Sequence, residues 1–441
     1  MSGAAPGDGG SAHRAAVSAT VSGDGGRTRP AAVPGTALGG RFRLLLGAAV
    51  ATRFADAGRT AAFALAATVL SGDPRVVSAV AAASVLPWLL FGLPAGALVD
   101  RCDKRRAFFT ADLSRALLAT GLAVAALTGH LSVALVLCCA FALTTLQTVS
   151  DSCFNSLLPA FVPKESLGQA NARLSMAQNG IGQFAGAPAG STLFTWQPFL
   201  PFAGNALCFL GAAAAVRGLP PCPPAAETGA ASGAGRRRSS IGADVRVGLR
   251  WIATTPLVRA LTLTVGIMNL ASGLSAGIMP LFALHTLGMP RVAFGALAGV
   301  AAAAMIGGNF LAGRLIRRMP PERVSRAAVL TQIAAFAGLA LAPGYPVALC
   351  CVALQGFTAG LWNVPGMTLL MEHAPADLRG RIMAAYRTLS MSAVPLGAVL
   401  AGALAYLAGN RAPFAVAALC LTVAAAQFVT TRHRATRPAR D

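Results

Sequence analysis

Two carboxylates in otherwise apolar segments are the residues of this chain best suited to chemistry. Asp56 lies in the apolar segment that begins near residue 43, and Asp151 lies in a later one. An ionisable side chain in such a segment is costly to bury, so it is a functional hypothesis by default. Burial disfavours the ionised form of a carboxyl group. These positions therefore indicate proton binding and release, or pairing with a charge on a ligand.

The neighbours of the two carboxylates leave structural alternatives open. Arg53 and Arg59 each stand three residues from Asp56 and share a helical face with it. This cluster predicts either a buried structural ion cluster or a site for a proton or an anionic or zwitterionic group. Asp151 has no basic residue within one helical turn, and Asn155 is among its polar neighbours. It is either a coupling residue or a polar residue near a helix end.

The two halves of the chain resemble each other weakly at an offset of about 212 residues. At this offset Asp56 corresponds to Asn269 and Asp151 corresponds to Asn363, so each acid has an uncharged amide in the second half. The further candidates for coupling or ligand binding in this half are Trp362 and Glu372. Each also has a structural explanation, namely packing for the tryptophan and solvation at a helix end for the glutamate.

The elements that carry these residues are predicted to be membrane-spanning helices. The chain is 55% hydrophobic and 12% charged, with a mean hydropathy of +0.63, whereas soluble proteins carry about 25% charged residues. Apolar segments of about 20 residues recur, long enough to cross a bilayer as helices. Alternating strand patterns are absent, which argues against a barrel.

The apolar segments predict twelve spans in two sets of six. They lie at about 43–69, 76–99, 107–128, 131–158, 170–195, 199–217, 257–284, 291–313, 325–343, 346–371, 382–407 and 411–430. The expected organisation is a disordered cytoplasmic tail (1–40), a six-helix bundle (41–217), a cytoplasmic linker (218–250), a second six-helix bundle (251–431) and a basic cytoplasmic tail (432–441). The even number of spans puts both termini on one side.

The net charge of +21 does not predict nucleic-acid binding. The basic residues stand in short clusters between apolar segments, and each cluster falls on the inner side if the chain starts in the cytoplasm. The outer loops keep Arg75, Arg291 and Arg411. Retention of basic residues on the cytoplasmic side of a membrane accounts for this pattern.

The loop between the second and third predicted spans contains Gly96, Asp100, Arg101, Lys104 and Arg105. Its spacing resembles the loop signature of the major facilitator superfamily. The resemblance implies two pseudo-symmetric six-helix bundles with a substrate path between them and alternating access by rocking. It also implies that these loop residues form a conformational latch. The degraded second copy of the loop, in the second half, contains Arg314, Arg317 and Arg318.

Small residues recur at every fourth position of the fifth predicted span. They are Gly182, Gly186 and Gly190, and Pro188 stands among them. Small residues permit close helix packing, and proline bends a helix. The stretch also resembles, in degenerate form, a signature of exporters in the superfamily. With residues 76–106 and 151–173, it is similar to the bacterial drug–proton antiporter branch that includes macrolide and siderophore exporters.

We therefore expect an all-α membrane protein that exports small amphipathic molecules by proton antiport. The proton gradient is the expected energy source, with no cofactor, metal or nucleic acid. We expect a monomer in the bacterial cytoplasmic membrane that contacts substrate and lipid. A proton-coupled or facilitative importer remains an alternative, and so does a non-transporting receptor or assembly factor. No P-loop or catalytic motif is present, so we do not expect an enzyme.

Overall fold

The computed structural model describes residues 40–99, 102–162, 166–176, 182, 184–220, 241–375 and 378–435. These residues form helices joined by short connections, with no strand among them. The first half contains α1 (Gly40–Leu70), α2 (Pro74–Ala83), α3 (Leu86–Val99), α4 (Lys104–Leu127), α5 (Val133–Phe161), α6 (Leu167–Met176), α7 (Ala187–Trp196) and α8 (Leu200–Arg217).

The second half begins with a helix that runs beside the bundle. It contains α9 (Ile241–Thr254), α10 (Pro256–Leu281), α11 (Arg291–Phe294), α12 (Ala296–Leu315), α13 (Pro321–Leu341), α14 (Tyr345–His373), α15 (Arg379–Ala408) and α16 (Ala412–Ala435). A π-helical turn, Phe282–Thr286, extends α10 after Pro280. The helices α2 and α3, α6 and α7, and α11 and α12 pair into single passages, so the described helices make six passages in each half. The prediction of two six-helix sets is confirmed.

Most passages are apolar enough to cross a membrane. By length and composition, nine helical stretches among the described residues qualify as candidate spans. The first helix, α1, has 31 residues, but Arg53, Asp56 and Arg59 occupy its middle. Its position in a membrane therefore depends on which residues form ion pairs with these charges, because unpaired charges in a bilayer are costly.

The predicted linker (218–250) is partly helical. Residues 221–240 lie outside the described residues, but α9 begins at Ile241 and ends at Thr254, four residues beyond the expected linker boundary. Gly248 lets α9 approach α15 closely, because an added Cβ at this position would lie 2.8 Å from the Ala385 Cβ. The predicted tail at 1–40 lies outside the described residues except for Gly40.

Successive passages run in opposite directions, so their connections alternate between two ends of the bundle. We call these the Asp73 end, with the connection 71–73, and the Asp103 end, where Cys102 and Asp103 precede α4. At the Asp103 end, the Asp103 side chain accepts hydrogen bonds from the backbone N–H groups of Arg105 and Arg106 and so caps α4. The described basic residues of the sequence clusters, such as Lys104, Arg314 and Arg379, fall at this end.

The two halves meet at the Asp73 end. An added Cβ at Gly402 of α15 would lie 2.9 Å from the Arg75 Cα and would also contact the Ser78 hydroxyl. The Arg75 guanidinium lies over the Tyr406 ring, 4.0 Å from its centroid. A second contact joins α7 to the start of α12, where an added Cβ at Gly295 would lie 2.6 Å from the Pro188 Cα. The halves are therefore closed together at this end.

Candidate functional site

The charged residues of the first half meet in one buried cluster. Arg115 of α4 donates a hydrogen bond to Asp112 at 3.0 Å and also pairs with Asp56 of α1. The Arg115 guanidinium lies 3.9 Å from the centroid of the Phe209 ring of α8. Arg115 therefore holds two carboxylates and joins α1 to α4 against an aromatic face.

Arg59 ties α1 to α5. Its guanidinium pairs with Asp56 at 3.3 Å and donates hydrogen bonds to Gln147 Oε1 at 2.9 Å and Thr144 Oγ1 at 3.3 Å. On the far side of Arg115, the Ser150 hydroxyl donates to Asp112 at 3.0 Å. All these polar groups are buried, so each carboxylate is stabilised by direct donors in place of water.

The fourth ion pair is more accessible. Arg53 of α1 pairs with Asp151 of α5 at 2.5 Å, and the two side chains are 28% and 16% exposed. The second carboxylate oxygen of Asp151 is buried and has no hydrogen-bond partner among the described residues. This pair is the part of the cluster that a proton or a ligand can reach.

We call these six residues the ion-pair network: Arg53, Asp56, Arg59, Asp112, Arg115 and Asp151. Three guanidinium groups face three carboxylates, so the formal charges cancel. Removing one partner from a buried pair leaves an uncompensated charge, which is strongly destabilising. A change in the protonation of any of these six side chains must therefore alter the ion pairs within the network.

The sequence identified four of the six network residues. It indicated Arg53, Asp56, Arg59 and Asp151 but missed the partner that Asp151 finds across the helix interface. It also missed Asp112 and Arg115, although they lie three residues apart inside the predicted span 107–128. That spacing is the same signal that marked Asp56 and Arg59.

The glycines of the fifth passage seat the helix that carries the network. An added Cβ at Gly182 would lie 3.3 Å from the Arg53 carbonyl oxygen, and one at Gly186 would lie 2.6 Å from the Phe54 carbonyl oxygen. At Gly190 an added Cβ would meet the Gly58 backbone. The three glycines thus follow α1 along its length, and the predicted close packing of helices agrees with this geometry.

A Gly186→Ala variant is expected to be less stable than wild type by about 1–3 kcal/mol, because the methyl group overpacks the α1 interface. The matched control is Gly204→Ala in α8, where an added Cβ has no atom within 4 Å. Alanine favours a helix over glycine by about 1 kcal/mol, so the control should be as stable as wild type or more so. Thermal unfolding of the two variants in detergent tests this prediction. Equal melting temperatures for both variants would contradict the packing assignment.

The predicted residues of the second half surround a cavity of about 440 Å³. We call it the Trp362 cavity; Asn269 and Asn363 line it as well. Asn269 donates a hydrogen bond to the Ser390 carbonyl oxygen at 3.0 Å, and Trp362 is buried. An adjoining cavity of about 650 Å³ shares Asn363 and contains Glu372. The amides therefore line ligand-sized space, whereas their acidic counterparts form ion pairs.

A third cavity lies between the two halves. It has a volume of about 420 Å³, and it is lined by Ala57, Thr60 and Ala61 of α1 together with Ser275 of α10 and Gln355 of α14. We call it the central cavity. Asn155 of α5 is exposed and does not line the three cavities described here.

The predicted latch is described only in part. Asp100 and Arg101 lie outside the described residues. Arg105 donates a hydrogen bond to the Arg217 carbonyl oxygen at 2.5 Å and thereby ties α4 to the end of α8. The remaining latch residues are Gly96 within α3, Lys104 at the start of α4, Arg314 in α12, and Arg317 and Arg318 after it. Among the described residues no group of acidic, histidine or cysteine side chains could hold a metal ion.

Two six-helix sets, a solute-sized cavity between them and a buried ion-pair network define a membrane transporter of small solutes. The chain belongs to the Major Facilitator Superfamily, whose sequence pattern matches residues 45–398. The resemblance that the loop sequence indicated is thereby confirmed.

Individual relatives agree with this assignment. The multidrug efflux pump Tap of Mycolicibacterium fortuitum is 29% identical over 362 residues, which are 76% of this chain and 82% of that protein. This relative supports the similarity to the drug efflux branch.

Solved structures share the architecture. The nucleoside transporter NupG superimposes with a TM-score of 0.71 at 13% identity, over 89% of this chain and 99% of that one. A bacterial homologue of the iron transporter ferroportin, in an inward-facing state, gives 0.71 at 15% identity, over 89% and 98%. At these identities the likeness establishes the fold alone.

Proposed function

We propose that this protein exports small amphipathic molecules from the bacterial cytoplasm in exchange for protons. The proposed substrates are drugs, antibiotics and secondary metabolites such as siderophores. The efflux relative supports the direction. The basic residues concentrate at the Asp103 end, which supports a cytoplasmic position for that end and for both termini in the inner membrane.

The Arg53–Asp151 pair is the observation that carries this proposal. Asp56 and Asp112 are both buried, and both contact Arg115, so we assign them a structural role. Asp151 has one guanidinium partner and a partly exposed side chain. Among the three carboxylates of the network, it is the one positioned to exchange a proton with water.

Protonation of Asp151 neutralises its charge and leaves the Arg53 guanidinium without an anionic partner. Since Arg53 lies on α1 and Asp151 lies on α5, this step loosens one contact between these helices, while Arg59 still joins them. Gly182 packs against the backbone of Arg53, so the fifth passage lies directly beside the change. In this way a proton can bias the equilibrium between two arrangements of the bundle.

The closed Asp73 end and the cavities near the Asp103 end fit a state that loads substrate from the cytoplasm. The Trp362 cavity is bounded by the part of α14 that runs towards the Asp103 end, and it adjoins the cavity that contains Glu372. The central cavity continues this space between the halves towards the closed contacts. Rocking about these contacts would expose the same space on the other side.

An Asp151→Asn variant is expected to lose gradient-driven export, because an amide binds no proton and forms no ion pair with Arg53. An imposed pH gradient, acidic on the side of the Asp73 end, should no longer accelerate the efflux of erythromycin, ethidium or a siderophore-like anion from preloaded proteoliposomes. Downhill exchange without a gradient should persist, since the cavities are unchanged.

Glu322→Gln is the matched control for this test. Glu322 is an acid in the first turn of α13, outside the network, and its loss should leave export intact. Wild-type rates of gradient-driven export by Asp151→Asn would refute the coupling assignment. Accumulation of the compounds in the cytoplasmic direction by wild type would refute export.

A further inference from the structure

The Trp362 cavity has the dimensions of a site for a drug-sized ligand. Its volume of about 440 Å³ falls within the range of roughly 300–1,000 Å³ that is typical of such sites. Residues of α10, α13, α14 and α15 line it, so it belongs to the second half. The ion-pair network lies in the first half, on α1, α4 and α5.

Much of the apolar wall of this cavity is methionine. Met268, Met367, Met383 and Met391 line it beside Trp362. Methionine side chains are flexible and polarisable, and they adapt to ligands of different shape, including aromatic ones. This wall suits an apolar body that can vary from one ligand to another.

Two buried polar atoms at the cavity lack a hydrogen-bond partner in the part of the chain that the structure describes. Gln332 is 4% exposed and Ser390 is 2% exposed, and both line the cavity. Gln332 Oε1 and Ser390 Oγ have no hydrogen-bond partner among the described residues. A buried polar atom without a partner is costly, so a ligand that donates a hydrogen bond would relieve this cost.

The charge of the cavity wall is positive. Arg387 lines it and is exposed, and no ion pair of Arg387 occurs within the described part of the chain. The described lining residues include no acid. Glu372 belongs to the adjoining cavity, where Arg379 also lies. This electrostatic environment favours an anionic group over a cationic one.

We infer that the Trp362 cavity binds amphipathic molecules that combine an apolar body, a hydrogen-bond donor and an anionic group held by Arg387. This inference deepens the proposed function and rests on it, because it names the substrate class of the exporter. It gives the second half the role of cargo recognition, while the first half responds to protons.

A series of three ligands with one apolar body tests the inference. Hydroxynaphthylacetate, hydroxynaphthylacetamide and hydroxynaphthylethylamine carry an anionic, a neutral and a cationic group on the same ring system and share a hydroxyl donor. Equilibrium dialysis against the purified full-length protein in lipid nanodiscs measures their dissociation constants. The acetate should bind most tightly, by about tenfold over the amide, as expected for one charge-assisted hydrogen bond.

Variants test whether Arg387 causes the preference for the acetate. Arg387→Gln should reduce acetate binding to the level of the amide without changing amide binding, and Arg387→Lys should retain most of the preference. Arg326→Gln removes an exposed arginine of the same end and should change neither the acetate nor the amide dissociation constant. Ala359→Phe places a ring in the cavity, which Ala359 lines, and should weaken all three ligands.

Several outcomes would overturn the inference. They are equal binding of the three ligands, preference for the amine, no binding at all, or a loss of preference in Arg326→Gln equal to that in Arg387→Gln. The measurement uses no gradient, so it is separate from the test of export. Anion-selective binding together with a fully active Asp151→Asn would refute proton coupling and leave this site in place.

Discussion

An Arg115→Leu variant is expected to lose about 3–5 kcal/mol of stability, which is the usual cost of removing one partner from a buried ion pair. Arg115 contacts Asp56 and Asp112 at once, and all three side chains are buried. The variant leaves Asp112 with the Ser150 hydroxyl as its remaining hydrogen-bond donor among the described residues. Loss of helical circular dichroism on heating should occur at a clearly lower temperature than in wild type.

The rescue experiment distinguishes uncompensated charge from lost packing. Combining Arg115→Leu with Asp112→Asn removes the carboxylate that pairs with Arg115 alone and leaves Asp56 paired with Arg59, so the charges cancel again and much of the stability should return. Arg314→Leu, an exposed position of α12, should melt like wild type. If Arg115→Leu also melts like wild type, the network does not stabilise the fold in the way that we describe.

A Gly402→Leu variant is expected to open the contact between the halves at the Asp73 end. The added side chain would overlap the Arg75 Cα and the Pro74 carbonyl oxygen, each 2.9 Å from an added Cβ. A clash of about 1–3 kcal/mol confined to the closed state would shift the equilibrium by roughly 5- to 150-fold towards the open one. Transport should slow, because the closed state must form in each cycle.

Distances between spin labels at Gly72→Cys and Leu407→Cys, in a background without native cysteines, check this shift. The distance should be longer in Gly402→Leu than in the parent. Ala403→Leu is the matched control, since residue 403 follows on the same helix and is exposed. An unchanged distance in Gly402→Leu would show that this glycine does not define the closed contact.

The architecture could be predicted because it depends on local signals. The length of the apolar segments predicted the helical passages, and the recurrence of Gly182, Gly186 and Gly190 predicted a close contact between helices. The sequence did not say which helix forms the other side of that contact. That depends on the arrangement of the bundle, in which α1 lies against the fifth passage.

An ion pair of the site could be predicted only where its two partners are neighbours in sequence. Arg59 and Asp56 form an ion pair three residues apart on one helix, and their spacing in the sequence predicts that pair. Asp151 has no basic residue within one helical turn, and its partner Arg53 is 98 residues away. Such a pair depends on how two helices are rotated about their axes, and a single sequence contains little information about that rotation.

The separation of the ion-pair network from the Trp362 cavity has a consequence for evolution. Substitutions among the methionines of the second half can alter which compounds are carried while every buried charge of the first half keeps its counterion. If the protein exports toxic compounds as we propose, natural selection can act on recognition without having to re-establish proton coupling at each step. Resistance to a new compound should then first arise through changes in the second half of the gene.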